Sequence, residues 1–572
     1  MDRQSPTLPP QGVAVAFTGS GGSGAVTAGL ILLSAAAKAG FYGLLTRSAG
    51  PQIRGGESAA MVRIAAAPVD CIGDRFDILV GLDWRNVDRF AEEILLDSDS
   101  LILADPAVGE VPEVLARAGA TIRRADLKAL ASSVVDGRIN MASVGVAGAA
   151  AGLPLWALEE GAVATLKRKG RAVADAAVAC IRAGYGPSQA VSPAQVGNAE
   201  ERWNISGNEA AGLGALRGGL RFVAAYPITP ASEMLEWLAP RLEKVGGSLL
   251  QAEDELASVN MIIGSSFAGV PSLTATSGPG LSLMMEGLGL AVTSETPIVV
   301  ANVMRGGPST GIPTKSEQSD LNIALYGLHG DAPHLVLAPL NIRDCAYCLQ
   351  WAMGLAEHLQ TVAIVLSDQS LGQSRAIIDP PDPFSRELRR VVAEDPGAPY
   401  RRYTLTNDGI SPMTIPGTSE GMYTADGLEH NEAGTPSSMA EDHRVQLAKR
   451  RDKLDRFDYG DDWAEIRGDG PLCLVTWGSS SGAVFEAARR LDRVRVIALR
   501  LLAPLRRGSL IDALRGAAQV LVVEQNEGAQ LFHYLHSVQA LPADARSFAR
   551  PGPLPLRPGE IAAAIEELGI KN

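Results

Sequence analysis

The chain is poor in cysteine, in aromatic residues and in net positive charge, and it holds no long unbroken apolar run. Five cysteines in 572 residues cannot knit a disulfide framework; they fit a reducing compartment and predict a cytoplasmic protein. Lys and Arg number 51 against 64 Asp and Glu, a net charge of −13. That balance leaves no basic footprint for a phosphate backbone and argues against a nucleic-acid partner. The apolar stretch 13–37 is broken by Gly19, Gly21, Gly22, Gly24 and Gly29, and the stretch 141–158 by Gly145, Gly148, Gly152 and Pro154. Both read as buried strand, loop and helix pieces, with no membrane span. Residues 1–11 lack the apolar core of a signal peptide and read as a short disordered lead. The seven histidines show no metal-ligand spacing, so no metal site is expected in this chain.

What is present is an ordinary globular composition, 46% hydrophobic and 20% charged, long enough for about three to four domains. From Val13 the pattern runs strand, glycine loop, helix, with further buried strands expected at 41–45, 77–82 and 100–103. Strand alternating with helix predicts an open α/β domain. It closes in a helical region at 158–183, and 184–204 reads as a linker. A second α/β domain begins at Gly207, with strands predicted at 221–225, 248–251, 272–276, 298–303, 334–337 and 362–366. Beyond Gln373 the pattern becomes irregular. Residues 379–383 are only Pro and Asp, 401–442 have little periodicity, and 444–457 predict a charged amphipathic helix. A third α/β unit opens at Pro471, with strands at 472–477, 494–498 and 520–523.

The segment Gly19-Ser-Gly21-Gly-Ser-Gly24 fits G-x-G-x-x-G after a strand and before a helix, a place where backbone N–H groups approach a phosphate. A dinucleotide domain adds an acidic residue about twenty positions on. None lies between Asp2 and Glu57, which argues against NAD. Another phosphate ligand and a purely structural turn both stay open. Arg47 and Arg54 in the following loop suit an anion or a solvated loop edge.

The second domain carries polar groups at four strand ends. Tyr226-Pro-Ile-Thr-Pro230 ends one strand and leaves Thr229 at the sheet mouth, where α/β proteins bind ligands. Gln251-Ala-Glu-Asp-Glu255 precedes an apolar helix, and Glu253 and Asp254 also fit simple N-terminal dipole partners. Thr274-Ala-Thr-Ser-Gly-Pro-Gly280 forms a strand-end loop, and Val303-Met-Arg-Gly-Gly-Pro-Ser-Thr-Gly311 puts Arg305 just past a buried strand. Arg305 suits a carboxylate through its planar fork, or a structural ion pair. Thr229 suits binding, a helix cap, or both.

Together these motifs closely resemble the α subunit of 2-oxoacid:ferredoxin oxidoreductases, over nearly the whole chain. Residues 12–190 resemble the family's γ unit, fused ahead of the α part. Residues 205–375 resemble its pyrimidine-binding thiamine diphosphate domain, 376–464 form an irregular connecting segment with a charged helix, and 465–572 resemble its transketolase C-terminal-like domain, including Leu521-Val-Val-Glu-Gln-Asn-Glu-Gly528. The γ-then-α order, with Asp408-Gly-Ile-Ser-Pro412 and Gly427-Leu-Glu-His430 in the spacer, is most like the 2-oxoglutarate enzymes. The fold implied is multidomain α/β.

The resemblance implies thiamine-diphosphate-dependent, CoA-acylating decarboxylation of 2-oxoglutarate to succinyl-CoA with electrons passed to ferredoxin, or the reverse reductive carboxylation. Pyruvate or a branched-chain 2-oxoacid is the alternative substrate, and a noncatalytic structural subunit the alternative role. It implies Glu255 as the glutamate that hydrogen-bonds the cofactor's pyrimidine N1′ and favours the imino tautomer that takes the thiazolium C2 proton. Glu255 lies nine residues before Gly264, the family's spacing; Glu253 is second in line. Thr229, Arg305 and Tyr226 are implied for substrate binding. Pro227, Ile228, Thr276, Ser277 and Gly278 are implied beside the cofactor. A diphosphate site needs Gly-Asp-Gly followed by a distant Asn; Arg467-Gly-Asp-Gly470 reads as a chance match in a loop ahead of the third unit's first strand. Clusters need four thiolates each, and Cys345-Ala-Tyr-Cys348 is a lone pair that reads as structural. The diphosphate site, its Mg²⁺ and a [4Fe–4S] cluster are therefore expected on a separate β subunit, in a dimer of αβ heterodimers.

Overall fold

A computed structural model describes residues 12–50, 56–186, 202–397 and 399–569. The expected lead at 1–11, Arg54 and most of the expected linker lie outside them. The chain divides into two compact units. One comprises 1–206, 373–380 and 556–560; the other comprises 207–372, 381–555 and 561–572.

The first unit is built on an eight-stranded sheet. The run Val13–Ser20 is buried at every position, and its alternation sorts the side chains to opposite faces. Val13, Val15 and Phe17 enter the core shared with helices Ala25–Lys38, Ile139–Ala150 and Leu155–Leu166. Ala14 and Ala16 enter a smaller core with Phe76, Leu79 and Phe90. A strand covered on both faces reads as a continuous apolar run, which is why it was visible in the sequence. On one side of it, the expected strands Ile78–Gly81 and Leu101–Ala104 run parallel, and a further strand that was not expected, Thr121–Arg124, continues them. The other side differs from the expected βα alternation. Glu57–Ala65 pairs antiparallel with both Val13–Ser20 and Tyr42–Ala49, so the strand that follows the second one runs back along it. Two distant pieces, Arg375–Ile378 and Trp203–Ser206, then complete the sheet antiparallel.

The second unit holds two sheets. In the seven-stranded one the order is Leu501–Ala503, Leu335–Leu337, Val362–Asp368, Ile298–Met304, Ser272–Thr276, Phe222–Ala225 and Ser248–Gln251. All neighbours are parallel except the first pair. Parallel pairing brings the carboxyl ends of these strands to one edge. The five-stranded sheet runs Ala464–Arg467, Val494–Leu499, Leu472–Trp477, Gln519–Glu524, Arg546–Ala549. Its first strand is Ala464–Arg467, antiparallel to Val494–Leu499, so Gly468-Asp-Gly470 joins two strands of the sheet and does not precede it. Gly468 has φ +75, and a Cβ on Gly470 would lie 1.5 Å from the Arg493 carbonyl oxygen. Backbone crowding explains both glycines.

The charged helix appears as Ala440–Asp455, and its buried face is Gln446, Lys449, Arg450, Lys453 and Leu454. The expected charged amphipathic helix thus buries charged residues on its inner face. The irregular spacer is packed: His430 stacks on Tyr403 with ring centroids 3.7 Å apart, and Asp408 accepts from the Ile410 amide at 3.0 Å.

Candidate active site

The four expected loops all leave the carboxyl edge of the seven-stranded sheet. Tyr226, Pro227, Ile228 and Thr229 form the loop after Phe222–Ala225; Tyr226, Pro227 and Thr229 are exposed and Ile228 half-buried. The Ile228 carbonyl accepts from the Ala231 and Ser232 amides at 2.8 and 3.1 Å, which turns the chain into helix Ser232–Leu242. Thr229 does not cap that helix; its N-cap is Ala231.

Helix Glu255–Phe267 begins with three carboxylates in different states. Glu253 is exposed. Asp254 is the N-cap, accepting from the Ala257 amide at 2.7 Å, the dipole-partner role expected of it. Glu255 is turned inward, with 6% of its surface exposed. It packs on the loop after Ser272–Thr276: a Cβ built on Gly280 would lie 2.5 Å from Glu255 Oε1 and 2.1 Å from Thr276 Oγ1. Only glycine at 280 lets these two side chains close over the turn. Thr276 and Ser277 are fully buried, and Gly278 opens helix Gly278–Thr293.

Arg305 follows Ile298–Met304 and is 7% exposed. Its Nη1 donates to the Thr229 carbonyl oxygen at 2.6 Å, so the structure brings these two expected residues together, through the Thr229 backbone and not its hydroxyl. Burial pulls the Arg305 pKa down from its ordinary value, with the Asp320 charge opposing. Among the described residues Arg305 Nε, Ser277 Oγ, Thr274 Oγ1 and Asn302 Oδ1 are buried without a hydrogen-bond partner. Thr274 lies mid-strand, while Ser277 and Arg305 directly follow their strands and Asn302 lies near the end of its own; unpartnered polar atoms at strand ends can be met by a group from outside the chain.

Sequence reasoning missed Asn302, Gln318 and Asp320. Asn302 stands opposite Thr276 in the strand register and donates to Asp320 Oδ2 at 2.9 Å. Gln318 is fully buried. Its Nε2 donates to the Trp477 carbonyl oxygen, and its Oε1 accepts from the Gln525 amide, both at 2.8 Å. The loop after Arg305 is thus fastened to the strand ends of the five-stranded sheet, at the Glu524-Gln-Asn526 motif. No local pattern marks these residues; they follow only from the seating of a long irregular loop.

Of the remaining candidates, Cys345 and Cys348 are buried within helix Ile342–Leu359, and burial pushes both thiols well above the ordinary thiol range. In the first unit's glycine loop, the Ser20 amide and Oγ donate to Asp83 Oδ2 at 3.0 and 2.7 Å, and the Gly21 amide donates to the Gly56 carbonyl oxygen at 2.6 Å. Those donors are already engaged by the protein. Arg47 is half-buried on Tyr42–Ala49. Among the described residues no group of three or more His, Cys, Asp or Glu is placed to hold a metal, and no helix is long and apolar enough to cross a membrane.

Two family descriptions match the chain: "Pyruvate ferredoxin/flavodoxin oxidoreductase" over residues 14–186, and "Pyruvate flavodoxin/ferredoxin oxidoreductase, thiamine diP-bdg" over residues 213–450. The 2-oxoacid:ferredoxin oxidoreductase subunit alpha of Saccharolobus solfataricus is 36% identical over 354 residues, which is 58% of this chain and 56% of that protein. The chain therefore spans little more than half of that relative. The 2-oxoglutarate synthase subunit KorA of Methanothermobacter thermautotrophicus is 35% identical over 373 residues, 64% of this chain and 98% of that protein. Among solved structures, a 2-oxoglutarate:ferredoxin oxidoreductase from Magnetococcus marinus, with 2-oxoglutarate, coenzyme A and succinyl-CoA bound, superposes with a TM-score of 0.89 at 32% identity, covering 98% of this chain and all of that chain.

Proposed function

This chain belongs to the 2-oxoacid:ferredoxin oxidoreductase family, and we propose that it is the α subunit of a 2-oxoglutarate:ferredoxin oxidoreductase. The reaction is CoA-acylating oxidative decarboxylation of 2-oxoglutarate to succinyl-CoA, or its reductive reverse, with ferredoxin as electron carrier. The observation that carries the reading is Glu255: an inward-turned carboxylate at the carboxyl edge, closed over Gly280 and given no hydrogen-bond partner among the described residues.

That edge fits the aminopyrimidine half of thiamine diphosphate. Glu255 would hold the ring at N1′, while Thr276, Ser277 and Gly278 line the adjoining turn, with Pro227 and Ile228 on the neighbouring loop. When bound, the cofactor would supply an acidic carbon whose conjugate base adds to the 2-oxo carbon, and a ring that takes up the electron pair left by decarboxylation. Glu255 holds or yields a proton at N1′ and thereby sets the tautomer of the 4′-nitrogen. Arg305, braced on the Thr229 loop, presents a planar cation to the C1 carboxylate of a 2-oxoacid. Thr229 and Tyr226 stand at the mouth, where they contribute hydroxyls.

A β subunit supplies the diphosphate and Mg²⁺ contacts and the [4Fe–4S] cluster, and two αβ pairs form the complex. Five buried free cysteines suit a cytoplasmic location. Co-expression with the β subunit, followed by a 2-oxoacid panel assayed with CoA and a low-potential dye, tests the reading. The expected result is the highest kcat/KM for 2-oxoglutarate. A preference for pyruvate or a branched-chain 2-oxoacid overturns the substrate, and no turnover of any 2-oxoacid overturns the function.

A further inference from the structure

Asp320 stands at the carboxyl edge beside Arg305 and Asn302. Asp320 ends the loop that begins at Arg305 and precedes helix Leu321–Tyr326. It is half-buried, yet it forms no ion pair among the described residues. Its carboxyl lies on the turn that opens helix Gly278–Thr293: a Cβ on Gly278 would stand 2.8 Å from Asp320 Oδ2 and 2.9 Å from Oδ1. Two carboxyls thus flank Gly278-Pro-Gly280, Asp320 over the first glycine and Glu255 over the second.

Asp320 also dictates the orientation of Asn302. An ionised carboxylate offers only acceptors, so the amide end of Asn302 must face it; Nδ2 donates to Oδ2 at 2.9 Å. The carboxamide oxygen is thereby turned away, and it is buried without a partner. The same charge acts on Arg305, whose Nη1 holds the Thr229 loop and whose Nε is buried without a partner. A carboxylate in Coulombic reach of a guanidinium, but not paired with it, competes with any anion that arrives there.

We propose that Asp320 is a positioning residue for the 2-oxoacid: it fixes the orientation of Asn302 and moderates the pull of Arg305, so that the substrate carboxylate is held without being trapped. The inference rests on the reading of Arg305 as the carboxylate's partner. Asp320→Asn keeps an acceptor for Asn302 but removes the charge. Asp320→Ala removes both. Burial pushes the Asp320 carboxyl above its ordinary range, with the Asn302 hydrogen bond opposing, so Asp320→Asn is also the milder structural change.

The test uses the complex with its β subunit and two readouts, calorimetric binding of 2-oxoglutarate without CoA and steady-state kinetics. Asp320→Asn is expected to tighten 2-oxoglutarate binding by about three- to tenfold and to leave KM for CoA unchanged. Asp320→Ala is expected to lower kcat by about tenfold or more, because Asn302 loses its orientation. Arg305→Ala separates the two claims. If it loses 2-oxoglutarate binding while Asp320→Asn binds like the native complex, the Asp320 inference is overturned and the reading of Arg305 stands. If Arg305→Ala binds 2-oxoglutarate like the native complex, the reading of Arg305 falls and the Asp320 inference with it. If both Asp320 variants lose thermal stability but keep native kinetics, Asp320 is a packing residue and the inference is overturned.

Discussion

Two places in the second unit bury ionisable groups and treat them in opposite ways. Around Glu295, fully buried at φ +51, each carboxylate oxygen has its own cation: Lys449 Nζ at 2.5 Å and Lys453 Nζ at 2.8 Å. Arg402 Nη2 adds a hydrogen bond to the Glu295 carbonyl oxygen at 2.9 Å. Burial alone pushes Glu295 up, but the three cations hold it far below the usual carboxylate range; burial pulls Lys449 down to about 7, with Glu295 opposing. At the carboxyl edge, Glu255 and Arg305 are almost as deeply buried, and neither has an ion-pair partner among the described residues. Burying charge is costly unless it is paired. The paired cluster seats the charged helix on the end of helix Gly278–Thr293. The edge leaves Arg305 Nε buried without a partner among the described residues, and on the proposed reading a cofactor and a carboxylate substrate would meet Glu255 and Arg305 there.

Substitutions should therefore sort cleanly, activity at the edge and stability at the cluster. The largest effect is expected from Glu255→Gln, which should lower kcat of the αβ complex by about 10²–10⁴-fold while its melting temperature stays within a degree or two of native. A comparable loss of melting temperature would place Glu255 with the structural residues and dissolve the contrast. Glu295→Gln is the opposite case. It leaves Lys449 and Lys453 without a counter-ion, so denaturant unfolding should show a loss of about 3–5 kcal/mol, with kcat per folded molecule unchanged.

Arg305→Lys comes next. The charge remains but the fork is lost, and a charge-assisted hydrogen bond contributes about 1.5–3 kcal/mol. KM for every 2-oxoacid should rise by about ten- to a hundredfold, with KM for CoA spared. If only 2-oxoglutarate suffers, Arg305 meets the distal carboxylate. If only CoA suffers, it belongs to the thiol's path. The smallest effect belongs to Glu253→Ala, an exposed neighbour of the N-cap, which should stay within about twofold of native kcat/KM. A dead Glu253 variant beside an active Glu255 variant would show that the other carboxylate does the work.

The legible parts of the molecule share a physical cause. Phe222–Ala225, Ser272–Thr276 and Ile298–Met304 run parallel and are largely covered on both faces, so each leaves a dense apolar run in the sequence. Their strand ends were legible because Pro, Gly and a lone polar residue interrupt those runs abruptly. Glu57–Ala65 was missed because its glycine-rich approach reads as loop, and its partners are recognised only in space. Trp203–Ser206 and Arg375–Ile378 were missed for the same reason more severely: Arg375 Nη1 meets the Asn204 carbonyl oxygen at 2.8 Å across 171 residues of chain. The charged helix was found but its inner face was not read, since nothing near Lys449 and Lys453 in sequence announces that Glu295 waits for them. Gln318 and Asp320 escaped notice because they sit in one irregular loop lying across two sheets, and Asn302 because its partner Asp320 comes from that loop.

The most direct test of the central claim reads the proton transfer itself. In the αβ complex loaded with thiamine diphosphate, exchange of the cofactor's C2 proton for deuterium is followed by quenched-flow NMR for native protein, Glu255→Gln and Glu253→Gln. The account predicts that exchange slows by about a hundredfold or more in Glu255→Gln alone, with cofactor still bound and the melting temperature preserved. Exchange at the native rate in Glu255→Gln would contradict it.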